Sequence, residues 1–109
     1  MQRRRRLHFT PTADGQLSAI EGDPALKGVL KQVRKTLGYL ETDLRAKSLQ
    51  THKHDSLSRR YKREVFEAYA QQDTPGAYRV FWHYGDDKID KKGNHIPYIT
   101  VIAITPHPE

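Results

Sequence analysis

Two runs near the end of the chain constrain its fold most: Tyr78-Arg79-Val80-Phe81-Trp82-His83-Tyr84 and Tyr98-Ile99-Thr100-Val101-Ile102-Ala103-Ile104-Thr105. Both are dense in aromatic and β-branched residues, which suit a pleated, half-buried surface and lose rotamer freedom in a helix. Two adjacent strands are therefore expected here. Side chains alternate across a strand, so Tyr78, Val80, Trp82 and Tyr84 share one face and Arg79, Phe81 and His83 the other. In the last run Ile102 and Ile104 oppose Val101, Ala103 and His107. The Val80/Trp82 and Ile102/Ile104 faces suit packing against a helix. Arg79 and His107 then belong to the helix-free face, where two cationic groups can meet at one rim.

The helix that covers the other face is equally legible. Asp23 is a good N-cap and Pro24 suits the first helical position. Leu26, Val29, Leu30, Val33, Leu37 and Leu40 then recur at three- and four-residue steps. They form one apolar stripe, with Lys27, Lys31, Arg34 and Lys35 on the solvent side. Upstream, Leu7-His8-Phe9-Thr10 reads as a short strand and residues 12–22 as a short helix. Residues 44–63 are polar and irregular. Residues 64–70 read as a strand, and Asp73-Thr74-Pro75-Gly76 as a turn, because proline presets φ and glycine admits positive φ. Residues 85–97 form a charged connection between the last two strands. The expected fold class is α+β: a small antiparallel sheet packed against one or two N-terminal helices.

A length of 109 residues allows one domain and one core, here residues 1–109 with a basic N-terminal tail. The formal net charge is +6, and such a surplus favours polyanionic partners through long-range attraction and counterion release. Nucleic acid, including the ribosome, is the expected partner class. Cysteine is absent, which removes disulfides, thiolate catalysis and cysteine-ligated zinc. Arg3-Arg4-Arg5-Arg6 resembles the start of a signal peptide, but Thr10, Pro11, Asp14 and Gly15 interrupt the apolar stretch that should follow. No membrane span is expected, and a cytoplasmic location is.

Three groups of residues carry chemistry. Thr51-His52-Lys53-His54 places two histidines at i and i+2, which suits a metal pair, a phosphate-facing catalytic loop or a solvated polar loop. Its spacing matches no metal signature, so no metal or cofactor is expected. Ser58-Arg59-Arg60-Tyr61-Lys62-Arg63 interleaves four cations with an aromatic ring, a composition suited to RNA backbone and base contacts. His54, Arg59, Arg60, Lys62 and Arg63 are the candidate substrate-binding residues. The third group is Glu67, Arg79 and His107. Cleaving RNA through its own 2′-hydroxyl needs a base, a cation for the crowded phosphorane and an acid for the leaving 5′-oxygen. Glu67 or Lys53 suits the base, Arg79 the cation, and His107 the acid. The alternative is a structural Glu67–Arg79 ion pair.

The arrangement resembles the RelE/ParE superfamily of bacterial toxins. The resemblance is carried by residues 48–57 (SLQTHKHDSL), Val65-Phe66-Glu67-Ala68-Tyr69, Ala77-Tyr78-Arg79-Val80-Phe81-Trp82 and Ile102-Ala103-Ile104-Thr105-Pro106-His107. These look like the family's basic loop, its aromatic-Glu strand, its Tyr-Arg-apolar strand and its last strand ending in a catalytic histidine or arginine. The resemblance spans most of residues 24–108. It implies a RelE/ParE-like fold and a metal-independent mRNA endonuclease that leaves a 2′,3′-cyclic phosphate and a 5′-hydroxyl. It also implies a cognate antitoxin that covers the site. Arg79 matches the phosphate-binding arginine, His107 the terminal catalytic position, Lys53 a loop lysine, and Glu67 a strand position that varies between lysine and acid. Val65 and Glu67 stand where lysines are frequent, and Pro106 and Pro108 flank His107. After residue 107 no further helix and no terminal catalytic tyrosine are expected. A ParE-like inhibitor of DNA gyrase and a non-catalytic basic RNA-binding module are the alternatives.

Overall fold

The computed structural model describes residues 5–72, 74–85 and 88–106. Strand β1 (Arg6–Phe9) leads directly into helix α1 (Pro11–Glu21). Thr10 caps that helix, its Oγ1 accepting from the Ala13 amide at 3.2 Å, and Pro11 occupies the first turn. A single 3₁₀ turn at Pro24–Leu26, capped by Asp23, feeds α2 (Lys27–Thr42). Val33, Leu37 and Leu40 of its apolar stripe are buried, while Lys27, Lys31, Arg34 and Lys35 are exposed. The stripe read from the sequence is the stripe that packs.

Residues 44–63, expected to be irregular, contain regular structure. A 3₁₀ turn (Lys47–Leu49) precedes a two-residue strand β2 (His52–Lys53) and a seven-residue helix α3 (Asp55–Tyr61). Only Leu57 of α3 is buried, so the helix has too few apolar positions to show a period. Its cap is also unusual: Nδ1 of His54 accepts from the Leu57 amide at 3.2 Å. The chain closes with β3 (Phe66–Tyr69), β4 (Arg79–Tyr84), a small hairpin of β5 (Lys88–Ile89) and β6 (His95–Ile96), and β7 (Tyr98–Thr105). The hairpin occupies the charged connection, its turn closed by Asp90 Oδ1 accepting from the amides of Lys92 and Asn94.

The main sheet has the order β1-β7-β4-β3-β2. From β2 to β7 each pairing is antiparallel, as expected for the last three long strands. The expectation of a wholly antiparallel sheet is corrected at β1, which runs parallel to β7. A four-residue strand alternates in the same way whichever direction its neighbour runs, so the sequence alone carries no orientation for it. Past the end of β1, α1 takes over the open edge of β7. Thr10 Oγ1 donates to the Ile102 carbonyl at 3.3 Å, and the Ile104 amide donates to Gln16 Oε1 at 2.7 Å.

A register shift in the β4–β7 ladder corrects the face assignment as well. Phe81 lies opposite Ala103 but Trp82 lies opposite Val101, leaving Ile102 as an extra residue. The bulge sends Ile99, Val101 and Ile104 to the core under α1 and α2, beside Val80 and Trp82. Ile102 instead joins Phe81, Val65 and Leu57 in a second, smaller cluster. That cluster is where α3 seats on the other side of the sheet. The face expected to be free of helices is thus partly roofed by α3.

Candidate functional site

On this second face a single carboxylate collects two cationic partners. Glu67, on β3, is only 4% exposed. Its Oε2 accepts from Nη1 of Arg79 at 3.3 Å, and its Oε1 is in close contact with Nε2 of His52. The backbone explains the convergence. In the β3–β4 ladder Glu67 is opposite Phe81 and Tyr69 is opposite Arg79, which makes Glu67 and Arg79 diagonal neighbours on one face. In the β2–β3 ladder His52 lies directly opposite Glu67.

Each cation is itself held. Nη2 of Arg79 donates to the Pro106 carbonyl at 2.8 Å, tying the guanidinium to the end of β7. The Arg79 Cζ is 5.9 Å from the ring centroids of both Tyr69 and Phe81, so the cation is flanked by two aromatic faces. Its two hydrogen bonds use two of the five N–H groups a guanidinium carries. The side chain remains 27% exposed. Nδ1 of His52 is 2.9 Å from the Gln50 carbonyl, and the ring is tilted against Tyr69 at 5.8 Å. Gln50 adopts a left-handed conformation (φ 45°), an uncommon one for a residue with a side chain, and its amide is anchored to Gln72 at 3.2 Å. The His52 side chain is 48% exposed.

The expected site residues separate into three groups. Arg79 and Glu67 meet, as an ion pair, with the guanidinium reaching toward the backbone of Pro106. Lys53 does not share their face. It pairs with Phe66, whose ring stacks on Trp82 in the larger core, and it opens onto a depression with Asp55, Ser58, Arg59, Arg63 and Glu64. His54 has a local duty as the cap of α3, its ring edge-on to Phe81 at 5.7 Å. Arg59 and Arg60 form the exposed last turn of α3, and Lys62 follows in a left-handed C-cap (φ 56°). Nη1 of Arg63 donates to Nδ1 of His83 at 3.3 Å. His107 lies outside the described residues.

His52 is the participant that face and motif reasoning missed as a partner of Glu67. The signal was present: residue 52 reaches Glu67 only if residues 52–53 form a strand edge, and the polar composition of that segment concealed one. Among the described residues no group of three histidine, aspartate or glutamate side chains is arranged to hold a metal ion. No described helix is long and apolar enough to cross a membrane.

Chemically, the arrangement offers an arginine with an exposed side, a half-exposed imidazole and a buried carboxylate between them. Those are the components of an anion-binding, proton-transferring site. A scan of the chain against protein-family models gives no match, and a search among curated proteins gives none either.

Proposed function

We propose that the chain is a RelE-like toxin that cleaves mRNA without a metal and is neutralised by a cognate antitoxin. The observation that carries this reading is the part-exposed Arg79 guanidinium, held by Glu67 and Pro106 beside His52 on the face that α1 and α2 leave open. A guanidinium fixed by other contacts is pre-organised to meet a pentacoordinate phosphorane with bidentate hydrogen bonds. The O2′–P bond forms as the 2′-hydroxyl proton passes to Glu67, the base candidate on the face of Arg79, and the P–O5′ bond breaks as His107 gives a proton to the leaving 5′-oxygen. Arg59, Arg60, Lys62 and Arg63 are exposed around the end of α3 and would follow the RNA backbone. The order of a first strand, two helices and a closing antiparallel meander is the order on which the RelE/ParE resemblance of the sequence rests.

The test uses purified protein with RNA, both free and on translating ribosomes, and maps new 5′-hydroxyl ends. Cleavage should occur in at least one setting and fall by about 100-fold or more in Arg79→Ala, the usual scale for losing one transition-state donor. A 2′-deoxynucleotide at the scissile position should abolish it. Absence of cleavage in both settings, with inhibition of gyrase supercoiling, would favour the ParE-like alternative instead.

A further inference from the structure

We infer that the crevice between α2 and the end of β3 is a nucleobase-binding subsite. The inference rests on the reading that the chain cleaves RNA, and the subsite takes the base next to the phosphate at Arg79. β2 pairs only with Phe66 and Glu67, so beyond Glu67 it no longer covers the outer edge of β3. A crevice of about 370 Å³ occupies that place, a volume within the usual range for small-molecule sites. Gln32, Lys35, Thr36 and Tyr39 form its helical wall. Their three- and four-residue spacing puts them on one face of α2, beside the buried stripe. Gln71 and Gln72 line it from the end of β3.

The polar groups of the crevice are oriented by backbone partners. The Tyr78 amide donates to Gln71 Oε1 at 3.1 Å, which leaves both N–H groups of the Gln71 amide for an occupant. Gln72 Nε2 donates to the Ser48 carbonyl at 2.7 Å, and its Oε1 accepts from Gln50 at 3.2 Å. One N–H of Gln72 remains. Thr36 is only 4% exposed, and its hydroxyl proton faces two carbonyls, those of Gln32 at 3.0 Å and Tyr69 at 3.4 Å. Its Oγ1 therefore offers an occupant lone pairs alone. Fixed donors, a buried acceptor and the half-buried Tyr39 ring match the edge and face of a nucleobase. Exposed Lys35 adds a cation for an adjoining phosphate. A wholly apolar ligand would leave the amides and the hydroxyl without partners.

Two residues join the crevice to Arg79. Tyr69 lies opposite Arg79 in the β3–β4 ladder; its carbonyl faces Thr36, and its ring centroid is 5.9 Å from the Arg79 Cζ. Tyr78, the residue before Arg79, holds the Gln71 amide in place. An unstacked base can thus turn around the open edge of β3 into the crevice while its phosphate stays on the guanidinium. Reading that base makes cleavage depend on sequence, with Gln71 and Thr36 as the residues that set the preference.

The experiment maps new 5′-hydroxyl ends in a random-sequence RNA pool cut by the full chain and its variants. The wild type should prefer one base at a single position beside the cut by about tenfold or more, the scale of one good base contact. Gln71→Glu keeps an acceptor for the Tyr78 amide but replaces the two donors with a carboxylate oxygen, and should reduce that preference by about fivefold or more. Arg79→Ala should lower cleavage at all sequences alike. Cleavage by the wild type with no base preference, or with a preference unchanged in both Gln71→Glu and Thr36→Val, would overturn the inference and leave the nuclease reading intact. If the wild type cuts no RNA, the nuclease reading fails and a binding measurement decides the subsite. AMP, GMP, CMP and UMP are titrated separately into the ¹⁵N-labelled protein. At least one should shift the backbone amides of Thr36, Ala70 and Gln71 in the wild type and not in Gln71→Glu. No shift there with any of the four up to about 10 mM would mean that the crevice holds only water, and the subsite would be rejected.

Discussion

At the scale of single residues, the Glu67 carboxylate decides what its neighbours are worth. It is almost fully buried, and removing either partner leaves a charge with half its compensation. Arg79 is the more buried partner and also anchors the carbonyl of Pro106, whereas the His52 ring is half in water. Arg79→Ala is therefore expected to destabilise the fold by about 2–3 kcal/mol, below the range for fully buried pairs because solvent screens part of the loss. His52→Ala should cost less than about 1 kcal/mol. Urea midpoints of the two variants check the order, and equal losses would contradict it. The Glu67–Arg79 ion pair was legible in the sequence as an opposite-charge alternative on consecutive strands, and the register of Glu67 opposite Phe81 is what places both on one face. The third member was not. Parity assigns a face only after the strand has been recognised, and β2 is a two-residue edge inside a segment with no apolar rhythm.

Among the elements, legibility followed the number of buried side chains each one contributes. α2 buries Val33, Leu37 and Leu40 and was evident from its period, whereas α3 buries Leu57 alone and was read as loop. That leucine supplies the apolar seat of α3, packed with Val65, Phe81 and Ile102, beside a hydrogen bond from the Val65 amide to Ser58 Oγ at 2.8 Å. Leu57→Ala is expected to cost about 2–4 kcal/mol, a large-to-small core loss, and to release α3 before the rest unfolds. Hydrogen exchange should report this as lost protection in residues 55–61 with β4 and β7 still protected. The opposite sign is expected in α2. Gly38 lies mid-helix, and a Cβ there would meet nothing within 4 Å. Gly38→Ala should stabilise by roughly 0.8–1 kcal/mol through backbone entropy, raising the thermal midpoint by about 3–6 °C. The Ile102 bulge marks the other limit of sequence reading. Alternation assumes an unbroken ladder, and one extra residue exchanges the faces of everything beyond it.

For the whole molecule, the question is whether polyanion binding follows total charge or its placement. The chain carries +6 overall, but its cations are divided between two sides of the sheet. Lys27 and Lys31 stand on the outer side of α2, while Arg59 and Arg60 end α3 on the side that also holds Arg79. Replacing Lys27 and Lys31 with glutamate, or Arg59 and Arg60 with glutamate, brings the net charge to +2 in either case. A field set by net charge alone would weaken RNA binding equally in the two double variants. Contacts made by α3 would instead act through counterion release. Each phosphate contact contributes about −0.7 to the slope of log K against log salt on single strands. The Arg59/Arg60 variant should then flatten that slope by about 1.4, while the Lys27/Lys31 variant keeps the wild-type slope and loses only a small, salt-sensitive part of its affinity. Fluorescence anisotropy with a labelled single-stranded RNA over a salt series separates the cases. Indistinguishable slopes in the two double variants would assign binding to the net charge and remove α3 from the interface.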